Sequence, residues 1–284
     1  MNKKFISLHH RQAIVATKHQ KDSLLATVFS ETLHWEFLPT PMIDTDQLGT
    51  FSGEIPRNLS PLEAAKAKIA LLPNNTNATI FIANEGTFTA HPQIPFITAD
   101  IELIYVYDSL NNWEFHTYHI DTEHSAFEKQ FTQTAEALQI AEENAFPQQA
   151  VIVSIKKNGL IQKVWKGLQT TADLLEALRT VEQFDATCEK IISADLRAMY
   201  NPTRQTVLRR TAEKLLQELQ TFCPQCETPA FLPNVTEKGL PCEWCGNPTY
   251  LVAKEISNCK SCGYTITKTH THKANPMYCM HCNP

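Results

Sequence analysis

Eight of the nine cysteines in this chain form four Cys-x-x-Cys pairs near its carboxyl end. Two thiolates separated by two residues can bind one metal ion from a single turn, and four thiolates complete a closed tetrahedral zinc site. The sequence therefore predicts two structural Zn²⁺ ions, bound by Cys223, Cys226, Cys242, Cys245, Cys259, Cys262, Cys279 and Cys282. Because sulfur fills every coordination position, we expect neither site to be catalytic.

The spacing of the pairs allows two groupings. Fifteen residues separate the first pair from the second and sixteen separate the third from the fourth, which is typical of zinc ribbons. We therefore predict that consecutive pairs share a metal ion. The thirteen residues between the second and third pairs also permit a cross-braced grouping, first with third and second with fourth. A disulfide framework is less favoured, because regular repeats without a secretory signal indicate metal ligands.

The cysteine-rich segment lacks the charge of a nucleic-acid-binding module. Residues 221–284 contain five Lys and no Arg against four Glu, and bound thiolates would add negative charge. A nucleic-acid partner is therefore not favoured, and a scaffold or protein-contact role is the better interpretation.

Outside this segment, a first group of candidate residues follows a short apolar run at 12–16. Thr17, Lys18 and Lys21 lie in a polar turn before a segment with apolar residues at helical spacing. A strand, a turn containing lysine and a helix amino terminus form a common phosphate-binding corner. The alternative is an ordinary turn with solvated lysines.

A second group lies in the loop 44–57, which combines carboxylates, hydroxyls, two glycines and an arginine. Gly49 and Gly53 would let a ligand approach the backbone, Arg57 could bind a phosphate through two hydrogen bonds, and Glu54 supplies a carboxylate. The alternative interpretation is a surface loop.

A third candidate, Glu85, follows the apolar run 78–84 and precedes Gly86. A carboxylate at the carboxyl end of a central strand is a common position for a catalytic acid or a metal ligand in α/β proteins. We therefore predict that the strand ends at this point and presents Glu85. The alternative is a carboxylate that caps the next turn.

A fourth group surrounds the start of the last predicted helix. Asn201 and Pro202 suit the N-cap and first position of that helix, with Arg197 and Arg204 on either side. Arginines near a helix start could bind an anion, or they could belong to a solvated face.

The surrounding pattern predicts an α/β domain at residues 1–220, with a mixed central sheet flanked by helices, followed by a double zinc ribbon at 221–284. Helices are expected after the Ser60-Pro61-Leu62-Glu63 capping box and over 122–144, and a hairpin is expected at Asn158-Gly159. The net charge is −5, and no apolar run could span a membrane. Because the sequence has no signal peptide and eight thiolate ligands need a reducing compartment, we expect the chain in the cytoplasm. The sequence is compatible with a homo-oligomer.

Four motifs together resemble an uncharacterised bacterial family, a domain of unknown function. They are GTFSGEIPR at 49–57, NEGTF at 84–88, SADLRA followed by NPTR at 193–204, and the paired Cys-x-x-Cys tail. This resemblance implies no activity.

Residues 12–120 also resemble, in layout, the inosine/xanthosine triphosphate pyrophosphatases. That family begins with a strand and an Ala-Thr-x-Asn-x-x-Lys turn; here the Lys corresponds to Lys21, while His19 stands where the family has Asn. Glu54 and Glu85 occupy positions similar to the family's acidic loop and acid-glycine turn. The family's paired aspartates at that turn are not reproduced.

We therefore predict a Mg²⁺-dependent hydrolase of a nucleotide or related phosphorylated small molecule. Glu85 and Glu54 would bind the metal ion or activate water, and the substrate would be held by Thr17, Lys18, Lys21, Arg57, Arg197 and Arg204. The alternative is a zinc-ribbon adaptor that binds a protein or nucleic-acid partner. Convergence of the loop 44–57, Glu85 and Arg197 in one cleft would favour the hydrolase.

Overall fold

The computed structural model describes residues 5–18, 22–49, 55, 56, 58–185 and 187–284. These residues form two compact units. The first is Ile6–Lys214, which we call the body, and the second is Leu215–Pro284 together with Phe5, which we call the tail module. The predicted α/β class with a mixed central sheet is confirmed. No helix among the described residues combines the length and apolar character needed to cross a membrane.

The first sheet of the body contains five strands in the order β2-β1-β3-β4-β5. The strands are β1 (Gln12–Val15), β2 (Glu36–Phe37), β3 (Ile80–Ala90), β4 (Thr98–Asp108) and β5 (Trp113–Asp121). β1 is parallel to β2 and β3, whereas β4 is antiparallel to β3 and β5. The parallel β1–β2 pair is possible because the helix α1 (Asp22–Leu33) lies in the connection between them.

β3 is much longer than the strand predicted from the sequence. It pairs with β1 only as far as Val15↔Ile82, but it pairs with β4 from Ile80 to Ala90. The prediction that the strand ends at Asn84 was therefore wrong. Asn84-Glu85-Gly86 has the composition of a turn, and the eleven paired residues of the β3–β4 hairpin override that local preference.

Helices cover both faces of the first sheet. The helix α2 (Pro61–Ala70) begins at the predicted capping box of Ser60 and Glu63, and it packs on the face that carries Ile14, Ala83 and Tyr105. The helix α5 (Pro202–Leu219) contacts the opposite face, where Arg204 reaches β4. Side chains alternate between these two faces along each strand, so neighbouring residues of β3 contact different helices.

The body contains a second, antiparallel sheet in the order β6-β9-β7-β8, in addition to the single sheet that was predicted. Its strands are β6 (Glu128–Gln130), β7 (Val151–Lys157), β8 (Leu160–Leu168) and β9 (Glu189–Ala194), and one face packs against α3 (Thr134–Glu143) and α4 (Thr171–Val181). The β7–β8 connection confirms the Asn158-Gly159 hairpin. The predicted helix at 122–144 was wrong: its first half is a loop and β6, and only α3 is helical.

The tail module contains three short antiparallel strands in the order β10-β11-β12. They are β10 (Val235–Lys238), β11 (Val252–Asn258) and β12 (Thr265–Thr269). Each strand lies in a different interval between consecutive Cys-x-x-Cys pairs. Most of their residues are exposed, so apolar burial alone cannot account for the fold of this module.

Candidate functional site

The eight paired cysteines form two groups of four, as predicted. In each group the Sγ atoms lie within 4.8 Å of one another. The closest sulfur pairs are 3.6 Å apart for Cys226 and Cys259 and 3.5 Å apart for Cys245 and Cys279. A tetrahedral ion with metal–sulfur bonds of about 2.3 Å requires a sulfur–sulfur distance of about 3.8 Å. The observed arrangement therefore fits a tetrahedral metal ion without rearrangement.

The grouping is cross-braced, so the preferred consecutive grouping was wrong. One group is Cys223, Cys226, Cys259 and Cys262, and the other is Cys242, Cys245, Cys279 and Cys282. The reason is the strand pattern. Consecutive grouping requires the first and third intervals to fold back on themselves, whereas each interval here contains one strand that runs to the other end of the sheet.

The strand register shows this alternation directly. Val235, at the start of β10, pairs with Ile256 near the end of β11, and Asn258 directly precedes Cys259. At the opposite end of the sheet, Lys238 pairs with Val252. Because β12 is antiparallel to β11, the chain returns toward the second group, where Cys242 forms a bridge with Ala274. Successive cysteine pairs therefore alternate between two ends.

The turns around the cysteines direct backbone N–H groups toward sulfur. Burial raises the pKa of the Cys259 thiol, but the N–H groups of Cys262 and Ser261 outweigh burial and lower the pKa to about 6. The N–H of Asn247 likewise lowers the pKa of Cys245. The backbone N–H groups therefore stabilise the thiolate forms of Cys259 and Cys245.

In each group, one thiol has a raised pKa instead. The N–H of Tyr264 lowers the pKa of Cys262, but burial and the neighbouring cysteines outweigh it and raise the pKa to about 12. Contact with Cys245, together with burial and the other two cysteines, raises the pKa of Cys282 to about 12. Four adjacent thiolates repel one another, so a bound cation is the natural partner for the fully ionised group.

In the body, Glu85 lies in the middle of β3 and forms an ion pair with Lys68 of α2. The Lys68 Nζ is 2.5 Å from the Glu85 carboxylate, and it also donates a 2.8 Å hydrogen bond to the Asn84 carbonyl oxygen. Both side chains are largely buried, with exposed fractions of 12% for Glu85 and 13% for Lys68. Glu85 is therefore held by a cation on the α2 face, beyond the point where β1 ends.

The first phosphate-binding candidates lie at the end of β1. Thr17 is buried, and the Lys18 Nζ is 2.8 Å from the Asp44 carboxylate. Since β1 and β3 are parallel up to Val15↔Ile82, Thr17 lies beside the β3 segment that leads to Glu85. Lys18 and Asp44 are both substantially exposed, so this ion pair is open to exchange with a ligand.

Arg204 is completely buried in an ion pair with Glu102 of β4. Their side chains are 1% and 0% exposed, and the Arg204 Nε is 2.5 Å from the Glu102 carboxylate. Asn84 donates a 3.3 Å hydrogen bond to the same carboxylate. A Cβ at Gly86, which pairs with Glu102 across the sheet, would collide with both ionic groups, so only glycine leaves room for them.

Arg197 is held within its own segment. It donates hydrogen bonds of 3.0 and 2.6 Å to the two carboxylate oxygens of Asp195, which is fully buried, and it lies 4.5 Å from the centre of the Tyr200 ring. The N–H of Gly167 also donates to Asp195. The charges of Arg197 and Asp195 thus balance within the segment, whereas Arg204 is balanced by Glu102 of β4.

The structure brings some of the predicted residues together and separates others. Glu85 and Lys68 lie on the α2 face of the first sheet, while Gly86 and the Arg204–Glu102 pair lie on the α5 face. Thr17 and Lys18 follow the end of β1, whose last residue pairs with Ile82 of β3. Glu54, Lys21 and Arg57 lie outside the described residues.

Sequence reasoning missed the partners of these charged residues. Neither Glu102 nor Lys68 was included among the predicted site residues. A signal was present in β4, where Asp100 and Glu102 interrupt an otherwise apolar and aromatic run. Two carboxylates on one face of a buried strand require buried partners, and α5 provides one of them.

Comparison with known proteins gives a family and no further relatives. No curated protein matches the chain, and no solved structure does so. One family model matches residues 68–284, which include Lys68, Glu85, Glu102, Arg204 and all eight paired cysteines, while the loop 44–57 lies outside the matched region. This match covers well over half of the chain, and the protein belongs to the family described as Domain of unknown function (DUF6671).

Proposed function

We propose that the body is a divalent-metal-dependent hydrolase of a nucleotide or a related phosphorylated small molecule, with Glu85 as its principal catalytic residue. The observation that carries this proposal is the largely buried Lys68–Glu85 pair. It lies where β1 has ended and β3 continues, and Thr17 and Lys18 follow the end of β1. A largely buried ion pair contributes little net stability, because desolvation offsets much of the attraction, so a role in ligand binding is a reason for its presence.

The roles follow from the charges. A phosphate group would draw the ammonium groups of Lys68 and Lys18 away from their carboxylate partners, and Thr17 would contribute its hydroxyl. This exchange would release Glu85 to take a proton from water. The water oxygen would then form a bond to phosphorus as the phosphoanhydride or phosphoester P–O bond breaks, and the leaving oxygen would carry away the electron pair.

Glu85 and Glu54 would hold the Mg²⁺ ion, which when bound would neutralise charge on the phosphate oxygens. Among the described residues, groups of three or more metal-binding side chains occur only at the cysteines. Mg²⁺ commonly binds through one or two carboxylates together with substrate phosphates. A single described carboxylate is compatible with an ion that arrives with its substrate.

Arg197 and Arg204 have a different role in this proposal from the one first predicted. Both guanidinium groups are neutralised by buried carboxylates, and Arg204 is 1% exposed. We assign them to positioning the segment 195–204 against the sheets. In this proposal Lys18 and Lys68 bind the phosphate, and Lys21 and Arg57 are further candidates for the same role.

The test is phosphate and pyrophosphate release from canonical and deaminated nucleoside triphosphates, with zinc-loaded protein and added Mg²⁺ or Mn²⁺. Glu85→Gln should lower the rate at least about 100-fold, because it removes a proton acceptor in the transition state. The matched control is Glu114→Gln. Glu114 forms an exposed ion pair with Lys66 of α2, the helix that also carries Lys68, the partner of Glu85. No release by folded protein, or equal losses in the two variants, would reject the hydrolase.

The tail module supports a second function, binding of a protein partner. Three large apolar side chains around one cysteine group are exposed: Trp244 (76%), Met280 (68%) and Met277 (58%). Trp244 and Met280 each lie between the two cysteines of a pair. Exposed tryptophan and methionine are enriched at protein interfaces, and the balanced charge of the module does not favour nucleic acid.

This second function can be tested separately from catalysis. Quantitative capture from a native lysate would compare the wild type with Trp244→Ser/Met280→Ser and with Leu160→Ser, an equally exposed apolar residue of the body. Proteins retained by the wild type and by Leu160→Ser, but lost with the double variant, would support the adaptor. Identical protein profiles for all three would argue against it.

A further inference from the structure

A cavity of about 330 Å³ lies on the face of the second sheet that α3 and α4 do not cover. Along β7, Val151, Val153 and Ile155 point to those helices, so Ile152, Ser154 and Lys156 point to the cavity. Ile152 and Ser154 are only 8% and 7% exposed. The cavity is therefore recessed, and it is lined by a strand that is buried on both faces.

A bulge in β8 shapes one wall of the cavity. Ser154 pairs with Val164 and Lys156 pairs with Ile161, although Val164 and Ile161 are three residues apart. In a regular strand these two residues would face opposite sides. The irregularity at Gln162 turns both apolar side chains to the cavity, as bulges near binding sites commonly do.

The polar groups of the cavity form a line along the sheet. Ser193 of β9 pairs directly with Ile152, so it is a diagonal neighbour of Ser154, and Lys156 follows two residues later on the same face. Phe127 and Leu196 add apolar surface, and His124 also lines the cavity. The His124 Nδ1 accepts a hydrogen bond from the Ala126 N–H, which leaves Nε2 as the donor of the neutral ring.

The charge at the end of this line is only weakly neutralised. The Lys156 Nζ is 3.4 Å from the Glu128 carboxylate, and Glu128 is 62% exposed. An exposed ion pair of this length contributes little to stability, so an incoming anion could replace Glu128 at small cost. Lys156 itself is only 25% exposed, and it lines the cavity.

We propose that this cavity binds a small amphipathic anion, with its apolar part against Ile152, Ile161 and Val164 and its carboxylate or phosphate at Lys156. Ser154 and Ser193, which line the cavity near Lys156, provide hydroxyl groups that can form hydrogen bonds with the ligand. The volume lies at the lower end of the roughly 300–1,000 Å³ typical of small-molecule sites, which restricts the ligand to metabolite size. The site is separate from Glu85 and does not depend on the hydrolase proposal.

Isothermal titration calorimetry on the zinc-loaded full chain tests this proposal with four probes: octanoate, octyl phosphate, octanol and octylamine. Octanoate or octyl phosphate should bind more tightly than octanol and octylamine, and the stronger of the two identifies the head group. Lys156→Met should weaken that binding by about 10- to 100-fold, the loss expected for a charge-assisted hydrogen bond. Octanol binding should stay within about twofold of the wild type.

Two further variants separate ligand binding from structure. Glu128→Gln should tighten anion binding about threefold, because it removes the competing carboxylate from Lys156. Lys163→Met is the control, since Lys163 pairs with Ile155 on the other face of the same hairpin and should leave affinity unchanged. The proposal is overturned if neither anion binds more tightly than about 1 mM, if octanol binds equally well, or if Lys163→Met weakens binding as much as Lys156→Met.

Discussion

At the scale of single residues, the body contains an ion pair whose surroundings are adapted to it. Arg204 and Glu102 are fully buried, Asn84 donates to the carboxylate, and Gly86 leaves the space that both groups occupy. Burial of two charges costs several kcal/mol for each ion before their attraction offsets it. We therefore interpret the pair as fixing the position of α5 on the first sheet. Its net contribution to the free energy of unfolding is small.

This interpretation predicts the result of a double-mutant cycle. Arg204→Met alone should lower the free energy of unfolding by about 3–5 kcal/mol, because it leaves Glu102 buried without its cation. Arg204→Met combined with Glu102→Leu should cost less than Arg204→Met alone. Urea unfolding at neutral pH measures both effects.

The control for the cycle is Lys66→Met, in the exposed pair with Glu114, which should cost at most about 1 kcal/mol. If the double variant loses as much stability as the sum of the two single variants, the two residues act independently and the interpretation is wrong.

At the scale of elements, the segment between β9 and α5 connects the two sheets of the body. The Asn201 side chain accepts a 2.9 Å hydrogen bond from the Arg204 N–H, as the predicted N-cap should, and a 3.1 Å bond from the Ser125 hydroxyl. Pro202 occupies the first helical position, where its missing N–H has no cost. The cap thus sets both the start of α5 and the position of Arg204.

Asn201→Ala should lower the free energy of unfolding by about 2 kcal/mol, at the upper end for an N-cap, because Asn201 is buried and has a second hydrogen-bond partner. Asn201→Asp keeps the acceptor oxygen at the helix amino terminus and should recover more than half of that loss. Thermal and urea unfolding measure both variants. Equal losses for Ala and Asp would show that packing, and not the cap, is the source of the stability.

At the scale of the whole molecule, the chain divides into a body with its own apolar cores and a tail module with little apolar burial. In the module, the strands connect two cysteine groups at opposite ends of the sheet, so loss of one metal ion should release the end of the sheet that its group holds. The free energy of metal binding takes the place of a hydrophobic core in such a unit.

The cross-braced grouping predicts metal stoichiometry. Cys223→Ser/Cys259→Ser removes two ligands from one group and should lower the number of metal ions bound by the zinc-loaded protein from two to one. Cys223→Ser/Cys242→Ser removes one ligand from each group and should leave both sites weakened. Native mass spectrometry with a competing chelator distinguishes the two double variants, and the consecutive grouping predicts the reverse result.

The sequence by itself determined the features that depend on a few neighbouring residues. The Cys-x-x-Cys pairs, the Ser60–Glu63 capping box, the Asn158-Gly159 hairpin and the Asn201-Pro202 helix start each complete their geometry within about five residues, so local chemistry was sufficient. The same local signals gave a wrong helix at 122–144 and a wrong strand end at Asn84, because pairing with β9 and β4 outweighed propensity there.

Only the tertiary structure decided which distant groups meet. Glu102 and Arg204 are 102 residues apart in the chain, and no local pattern indicates that α5 crosses β4. The grouping of the cysteines depends on whether each interval forms a hairpin or a single strand, and intervals of nearly equal length permit both. The cavity beside Lys156 likewise arises from strand register and a bulge, which are properties of the assembled sheet.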